Sequence, residues 1–136
     1  MKFIKGSLFV CLLCVTLSCS EKKEVSSIII KGVTALYKGQ FNEASNYITP
    51  GSYPVLSFIH AMTPKKKIEL MNHADVKVRV LNTDILPGDS VANVEVEIEN
   101  YVSGSPSAPV LTDNEKRETF ELNKVGGKWL INIKSK

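Results

Sequence analysis

Apolar residues in the first part of the chain recur at the spacing of an amphipathic helix. One such stripe holds Val25, Ile29, Val33, Leu36 and Tyr37. It predicts a helix over 25–38 with Gly39 as its stop. The β-branched run at 28–30 lowers helix propensity, so a strand is the competing interpretation of this segment. The same spacing predicts shorter helices over 40–48, 52–62 and 65–73, with Ser52 as a cap.

After residue 75 the pattern changes to strict alternation of apolar and polar residues. The alternating runs are 76–80, 94–99, 119–122 and 129–134, separated by turn residues at 87–90, 103–109 and 126–127. Alternation of this kind indicates an antiparallel sheet with one buried face. Glu95, Glu97 and Glu99 would then face water, opposite Lys77 and Arg79 of the neighbouring strand. Helices followed by a four-strand meander predict an α+β fold.

The N-terminal residues 1–18 have the features of a secretory signal peptide. Lys2 and Lys5 precede an apolar run at 8–15, and the small Ser18 marks a cleavage point. The run is shorter than the roughly 20 residues that span a bilayer, so a retained transmembrane helix is the less favoured alternative.

The residues around Cys19 resemble a bacterial lipobox, in a loose form similar to that of Bacteroidota lipoproteins. Residues 16–19 read Thr-Leu-Ser-Cys, with the small Ser18 before the cysteine. The resemblance implies cleavage before Cys19 and acylation of that residue. Ordinary secretion with an incidental thiol is the alternative. Residues 20–24 are charged and contain no apolar side chain, which predicts a flexible tether.

Composition narrows the possible classes of protein. The chain has 136 residues and a formal net charge of +3. Without Lys2 and Lys5 there are 15 basic and 14 acidic residues, a net charge of +1, and only Cys19 of the three cysteines remains. These numbers argue against a multidomain enzyme, a disulfide scaffold, a zinc-binding cysteine cluster and a strongly basic nucleic-acid binder.

Three segments resemble a known family. Residues 30–44 carry a helix followed by Gly39, Phe41 and Glu43-Ala44, residues 87–96 hold a Gly-Asp turn entering a strand, and residues 122–131 close with Gly-Gly-Lys-Trp. Together they resemble the lipoprotein group catalogued as domain of unknown function 4878, in the superfamily similar to nuclear transport factor two. That resemblance implies a cystatin-like cone, in which N-terminal helices pack on a curved four-stranded antiparallel sheet. It implies no agreed activity.

Several side chains are candidates for lining a pocket in such a cone. They are Tyr37, Phe41, Tyr47, Tyr53, Phe58, His60 and Trp129. Core packing is the competing role for the aromatic residues. His60 is the candidate general base, but it lacks zinc-ligand spacing with His73. No catalytic motif is recognisable, and neither a metal nor a cofactor is expected. The run Lys65-Lys66-Lys67 is expected to be a solvated helix start, with contact to anionic lipid as the alternative.

The predicted organisation is a signal peptide at 1–18, a lipidated cysteine and tether at 19–24, and a cone-fold domain at 25–136. The expected function is that of a cell-envelope lipoprotein, anchored in the outer membrane, whose domain binds without catalysing. Its partner would be a protein, a peptide or a small apolar ligand, and not nucleic acid. The alternative is a small isomerase-like or dehydratase-like enzyme that uses the cone cavity.

Overall fold

The computed structural model describes residues 2–105, 108–112 and 114–134, with side chains from residue 19 onward except Ser105. Four α-helices precede the sheet. They are α1 (Lys2–Tyr37), α2 (Phe41–Ala44), α3 (Tyr53–Met62) and α4 (Lys65–His73). Single 3-10 turns at Ser45–Tyr47 and Pro50–Ser52 follow α2 and lead into α3. Within the residues whose side chains the structure describes, no helix is long and apolar enough to cross a membrane.

The strands form one main sheet and one small hairpin. The strands are β1 (Lys77–Ile85), β2 (Val91–Glu99), β3 (Val102–Ser105), β4 (Ala108–Leu111), β5 (Lys116–Val125) and β6 (Lys128–Asn132). The main sheet has the order β1-β2-β5-β6 and is antiparallel throughout. The α+β fold with a four-stranded sheet is therefore confirmed. Where we expected a turn at 103–109, β3 and β4 form a two-stranded hairpin.

The helix α1 packs on the inner face of the main sheet. Val25, Ile29 and Val33 are fully buried at successive i+4 positions, so packing outweighs the low helix propensity of their β-branched side chains. At Gly32 the backbone of α1 lies close to β6, since a Cβ at this position would be 2.5 Å from the Cδ1 atom of Ile131. Opposite them, the sheet contributes fully buried residues from three strands. These are Ala92, Val94, Val96, Ile98, Leu122, Trp129 and Ile131.

The N-terminal segment differs from the expected tether. Residues 19–24 continue α1 as helix. Lys124 of β5 donates a hydrogen bond to the Glu21 carboxylate over 2.7 Å, and Val25 is fully buried one turn later. These contacts order a segment whose composition alone indicated flexibility. The segment assigned as a signal peptide forms the preceding part of the same helix, and its side chains lie outside the described residues.

The helix α1 ends where Gly39 was predicted to stop it. Gly39 has a φ of +69°, and the Gln40 N–H donates to the carbonyl of Ala35 over 2.9 Å. This is the hydrogen-bond pattern of a glycine C-cap in the left-handed conformation. The chain changes direction at Gly39, which places the Phe41 side chain against the helices, where it is 5% exposed.

Ser52 plays a different part from the predicted helix cap. Its side chain makes no capping hydrogen bond to α3. Instead its buried hydroxyl lies 2.7 Å from the hydroxyl of Thr49 and accepts a hydrogen bond of 2.9 Å from the N–H of Ile133. Ser52 thereby fixes the chain that leaves β6 against the start of α3.

Candidate functional site

The inner face of the sheet is filled by side chains. Trp129, a candidate pocket residue, is fully buried and belongs to the core cluster with Ile29, Leu122 and Ile131. Its indole N–H has no hydrogen-bond partner in the described part of the chain. The Lys124 ammonium lies 5.7 Å from the centre of the indole ring. The structure thus gives Trp129 the core-packing role that competed with the pocket role in the sequence.

Three of the other candidates meet at a groove between α2 and α3. Phe41, Tyr53 and His60 line a cavity of about 310 Å³ together with Asn42, Ser45, Leu56 and Ser57. A second cleft of about 750 Å³ shares Phe41, Asn42 and His60, and extends to Gly39 and Asn72. We call the two together the α2–α3 groove. Helix α3 places Leu56 and His60 one turn apart, so both side chains reach the same side of the groove.

The imidazole ring of His60 stacks on Phe41. The ring centroids are 4.7 Å apart and the planes differ by 29°. Phe41 is buried, and the His60 side chain is exposed. The apolar floor of the groove therefore carries a polar, solvent-facing rim. An aromatic floor with a polar rim is suited to holding an apolar side chain of a partner.

The remaining candidates lie elsewhere. The Tyr47 hydroxyl donates to the Glu43 carboxylate over 3.1 Å, and Tyr47 packs against α1 at Gly32. Phe58 points into solvent from α3 and is 65% exposed. Met62, one turn further, is 63% exposed. Phe58 and Met62 thus form an exposed apolar pair on the side of α3 opposite to Tyr53, Leu56 and His60, and they do not line the groove.

Tyr37 belongs to a polar cluster that the sequence did not reveal. Its hydroxyl donates to the Glu118 carboxylate over 2.7 Å, and the Lys116 ammonium lies 2.9 Å from the same carboxylate oxygen. That ammonium also sits 4.6 Å from the ring centre of Tyr37 and 4.8 Å from that of Tyr101. Burial, reinforced by the Glu118 hydrogen bond, raises the pKa of Tyr37 far above its ordinary value. The phenol therefore stays protonated at neutral pH and acts as a hydrogen-bond donor.

The register of β5 is the signal that could have located this cluster. Glu118 pairs with Val96, and directly opposed residues of an antiparallel pair share a face. Glu118 and Lys116 therefore lie on the inner face, where only apolar residues were expected. The alternating run was predicted over 119–122, but β5 begins three residues earlier, at the charged residues Lys116, Arg117 and Glu118, which do not alternate with apolar ones.

The outer face of the sheet also departs from expectation at one position. Glu97 was expected to face water, yet it is 4% exposed. The cause is its two flanking strands, which place Arg79 and Arg117 directly opposite it. Arg79 donates to its carboxylate over 2.9 Å, and the Arg117 Nε atom lies 3.9 Å from the other oxygen. The two exposed arginine side chains cover the carboxylate.

Glu97 is also part of an acidic cluster on the outer face of β2 and at the start of β5. Carboxylate oxygens of Glu97, Glu99 and Glu115 lie within 4.8 Å of one another. The negative charge of Glu97, followed by desolvation, raises the pKa of Glu115. Because Arg79 and Arg117 both pair with Glu97, this cluster is part of an ion-pair network on the outer face of the sheet.

Comparisons with known proteins support the fold. No family model matches the chain, and no curated protein is significantly similar. A crystal structure from Campylobacter jejuni, of a protein described provisionally as an NTF2-like transpeptidase, is similar with a TM-score of 0.56 and 16% identity. The similarity covers 79% of this chain and 96% of the other. At this identity the likeness concerns the fold, which is therefore of the NTF2-like class, as the sequence resemblance implied.

Proposed function

We propose that the chain is a lipid-anchored protein of the bacterial cell envelope whose NTF2-like domain binds a partner polypeptide at the α2–α3 groove. The observation that carries the binding role is the aromatic floor of the groove, where the rings of Phe41 and His60 stack in clefts that open to solvent. Tyr53, which is 45% exposed, adds a third aromatic ring to the lining. Aromatic side chains accessible in an open cleft are typical of protein interaction sites.

The shape of the groove favours a polypeptide over a small ligand. Small-molecule sites enclose most of the ligand surface. The inner face of this sheet is occupied by Trp129 and its neighbours, whereas the clefts at Phe41 and His60 open to solvent. An apolar side chain of a partner would contact the Phe41 and His60 rings, while Tyr53 and Asn42 at the rim supply polar atoms.

The proposed role is non-catalytic. A general base needs a reacting group within hydrogen-bond reach. His60 is the base that the sequence offered, and its ring stacks on Phe41. The structural neighbour is described as a transpeptidase. Here Cys19 is exposed near the middle of α1, whereas His60 lies beyond the C-terminal end of that helix beside Gly39 and Phe41, so the two do not form a nucleophile–base pair.

The binding role is tested by co-purification from native membranes. We expect a partner that is retained by the wild type and lost from the Tyr53→Ser/His60→Ser variant, which removes two rings that line the groove. The matched control is Phe58→Ser/Met62→Ser, which removes two exposed apolar side chains from the opposite side of the same helix. A partner retained equally by both variants, or lost equally from both, would contradict a role for this groove. Thermal unfolding of each variant verifies that the domain remains folded.

The anchor is tested by metabolic labelling with a clickable palmitate analogue. Acylation of Cys19 with two or three chains would hold the protein far more firmly than a single chain. We expect the wild type to be labelled and Cys19→Ser to be unlabelled. Label that persists in Cys19→Ser would overturn the assignment.

A further inference from the structure

The outward face of α1 next to Cys19 is basic. Lys22, Lys23 and Lys31 line a shallow groove of about 480 Å³ together with Ser26, Ser27 and Ile30. Ile30 is 42% exposed, so an apolar side chain lies among the lysines. We call this surface the α1 basic face.

The acidic residues of the same segment do not line this groove. Glu21 accepts a hydrogen bond from Lys124 over 2.7 Å. Glu24 is exposed, and its charge contributes to the raised pKa of Lys124. Among the described residues, the lining of the α1 basic face contains three lysines and no carboxylate.

Cys19 lies on the same side of the helix. Lys23, Ser27 and Ile30 follow it at i+4, i+8 and i+11, which at 3.6 residues per turn forms one stripe. Cys19 is exposed. From Cys19 to Lys31 this stripe extends about 18 Å along the helix axis. A lipid chain on Cys19 would thus enter a bilayer from the side of α1 that carries the lysines.

We propose that the α1 basic face lies flat against an anionic lipid surface, so that the domain is held in one orientation. The inference rests on the proposed anchor at Cys19. Lysine side chains place their ammonium groups among anionic headgroups while their methylene stems contact the apolar region. Exposed Ile30, between them, adds apolar contact of the kind that amphipathic helices make at a membrane interface.

The competing basic surface is Lys65-Lys66-Lys67. It starts α4, and α4 packs beside Gly39 through Ile68 and Met71. This is the far end of α1, about 27 Å from Cys19 along the helix. Contact through the α1 basic face and contact through Lys65-Lys66-Lys67 would therefore orient the domain differently.

The test uses the full chain, purified from membranes and reconstituted into phosphatidylcholine vesicles with or without phosphatidylglycerol. Lysine reactivity toward an acetylating reagent is read residue by residue by mass spectrometry. We expect several-fold protection of Lys23 and Lys31 in the anionic vesicles, reversed by high salt. Lys66 and Lys128, exposed on α4 and β6, serve as internal controls and should react at the same rate in both vesicles.

Paired variants assign the effect to its surface. In Lys23→Gln/Lys31→Gln, the protection of Lys22 should fall by at least roughly five-fold, since each lysine contributes to attraction by the surface. In the matched control Lys65→Gln/Lys66→Gln, the protection of Lys22 should be unchanged. Protection of Lys66 instead of Lys23, or equal reactivity at all these lysines, would overturn the proposal.

The intact mass of the same sample reports acylation separately. An acylated chain whose Lys23 and Lys31 are as reactive as Lys128 would contradict the orientation and leave the anchor standing. An unacylated chain with protected Lys23 and Lys31 would contradict the anchor and leave the contact standing.

Discussion

The hydroxyl of Tyr37 donates a 2.7 Å hydrogen bond to Glu118, a residue 81 positions away in the sequence. The bond joins the C-terminal turn of α1 to the start of β5. Lys116 completes the arrangement by pairing with the same carboxylate. The neutral Tyr37 hydroxyl and the Lys116 ammonium therefore both contact the Glu118 carboxylate on the inner face of the sheet.

Replacing Tyr37 with Phe should lower the free energy of unfolding by about 1 kcal/mol at neutral pH, the usual net value of one hydrogen bond. The contribution also depends on pH. Because the folded-state pKa is raised, the stabilisation is complete below the ordinary tyrosine value near 10 and is lost as the pH rises above it. Urea unfolding from pH 7 to 11 measures both effects. Equal alkaline sensitivity in wild type and Tyr37→Phe would contradict this account.

Trp129→Ala should destabilise the domain by about 3–5 kcal/mol, since a fully buried indole is replaced by a cavity. Trp129→Phe should cost less, because the indole N–H has no hydrogen-bond partner to lose in the described structure. Urea denaturation of both variants checks the order. A loss below about 1 kcal/mol for Trp129→Ala would mean that the side chain is not in the core.

Gly32→Ala should destabilise the domain although alanine is the better helix former. The new Cβ would approach the Cδ1 atom of Ile131 to 2.5 Å, and overpacking of a filled core costs about 1–3 kcal/mol. Ile131→Val removes that carbon. In a double-mutant cycle we expect Gly32→Ala to be better tolerated in the Ile131→Val background. Strictly additive effects would show that α1 and β6 do not approach as described.

Glu97→Gln should return the pKa of Glu115 toward its ordinary range, because the charge of Glu97 is the largest cause of its elevation. With the folded-state pKa raised, Glu115 favours the folded state below its unfolded pKa, and this contribution is lost as the pH rises through the folded value. Carboxyl carbon NMR titration of Glu115 in both proteins measures the change. Glu95→Gln is a matched control on the same strand and should leave the titration of Glu115 nearly unchanged.

Local pattern predicted the elements whose apolar residues are periodic. The stripe through Val25 and Ile29 predicted the C-terminal part of α1, the alternation at 94–99 predicted most of β2, and Gly39 predicted the end of the helix. These features depend on residues close in sequence, so spacing alone was informative. The hairpin of β3 and β4 was not anticipated because Gly104 and Pro109 read as turn residues.

The candidate site was harder to predict because its members are distant in sequence. Aromatic residue type alone could not separate Phe41 and Tyr53, which share the groove, from Trp129, which is in the core. The burial of Glu97 likewise depends on arginines from two neighbouring strands. These contacts depend on the register in which neighbouring strands pair. That register is set by the sheet as a whole and not by the sequence of one strand.

The close approach of Gly32 to Ile131 joins the first helix of the fold to its last strand. The apolar stripe of α1 consequently lacks part of its cover until β6, which carries the fully buried Trp129 and Ile131, has been made. A chain synthesised from its N-terminus cannot complete this core stepwise, and its native contacts span long sequence separations that slow folding. The core of the domain is therefore closed only after the C-terminal strand has left the ribosome.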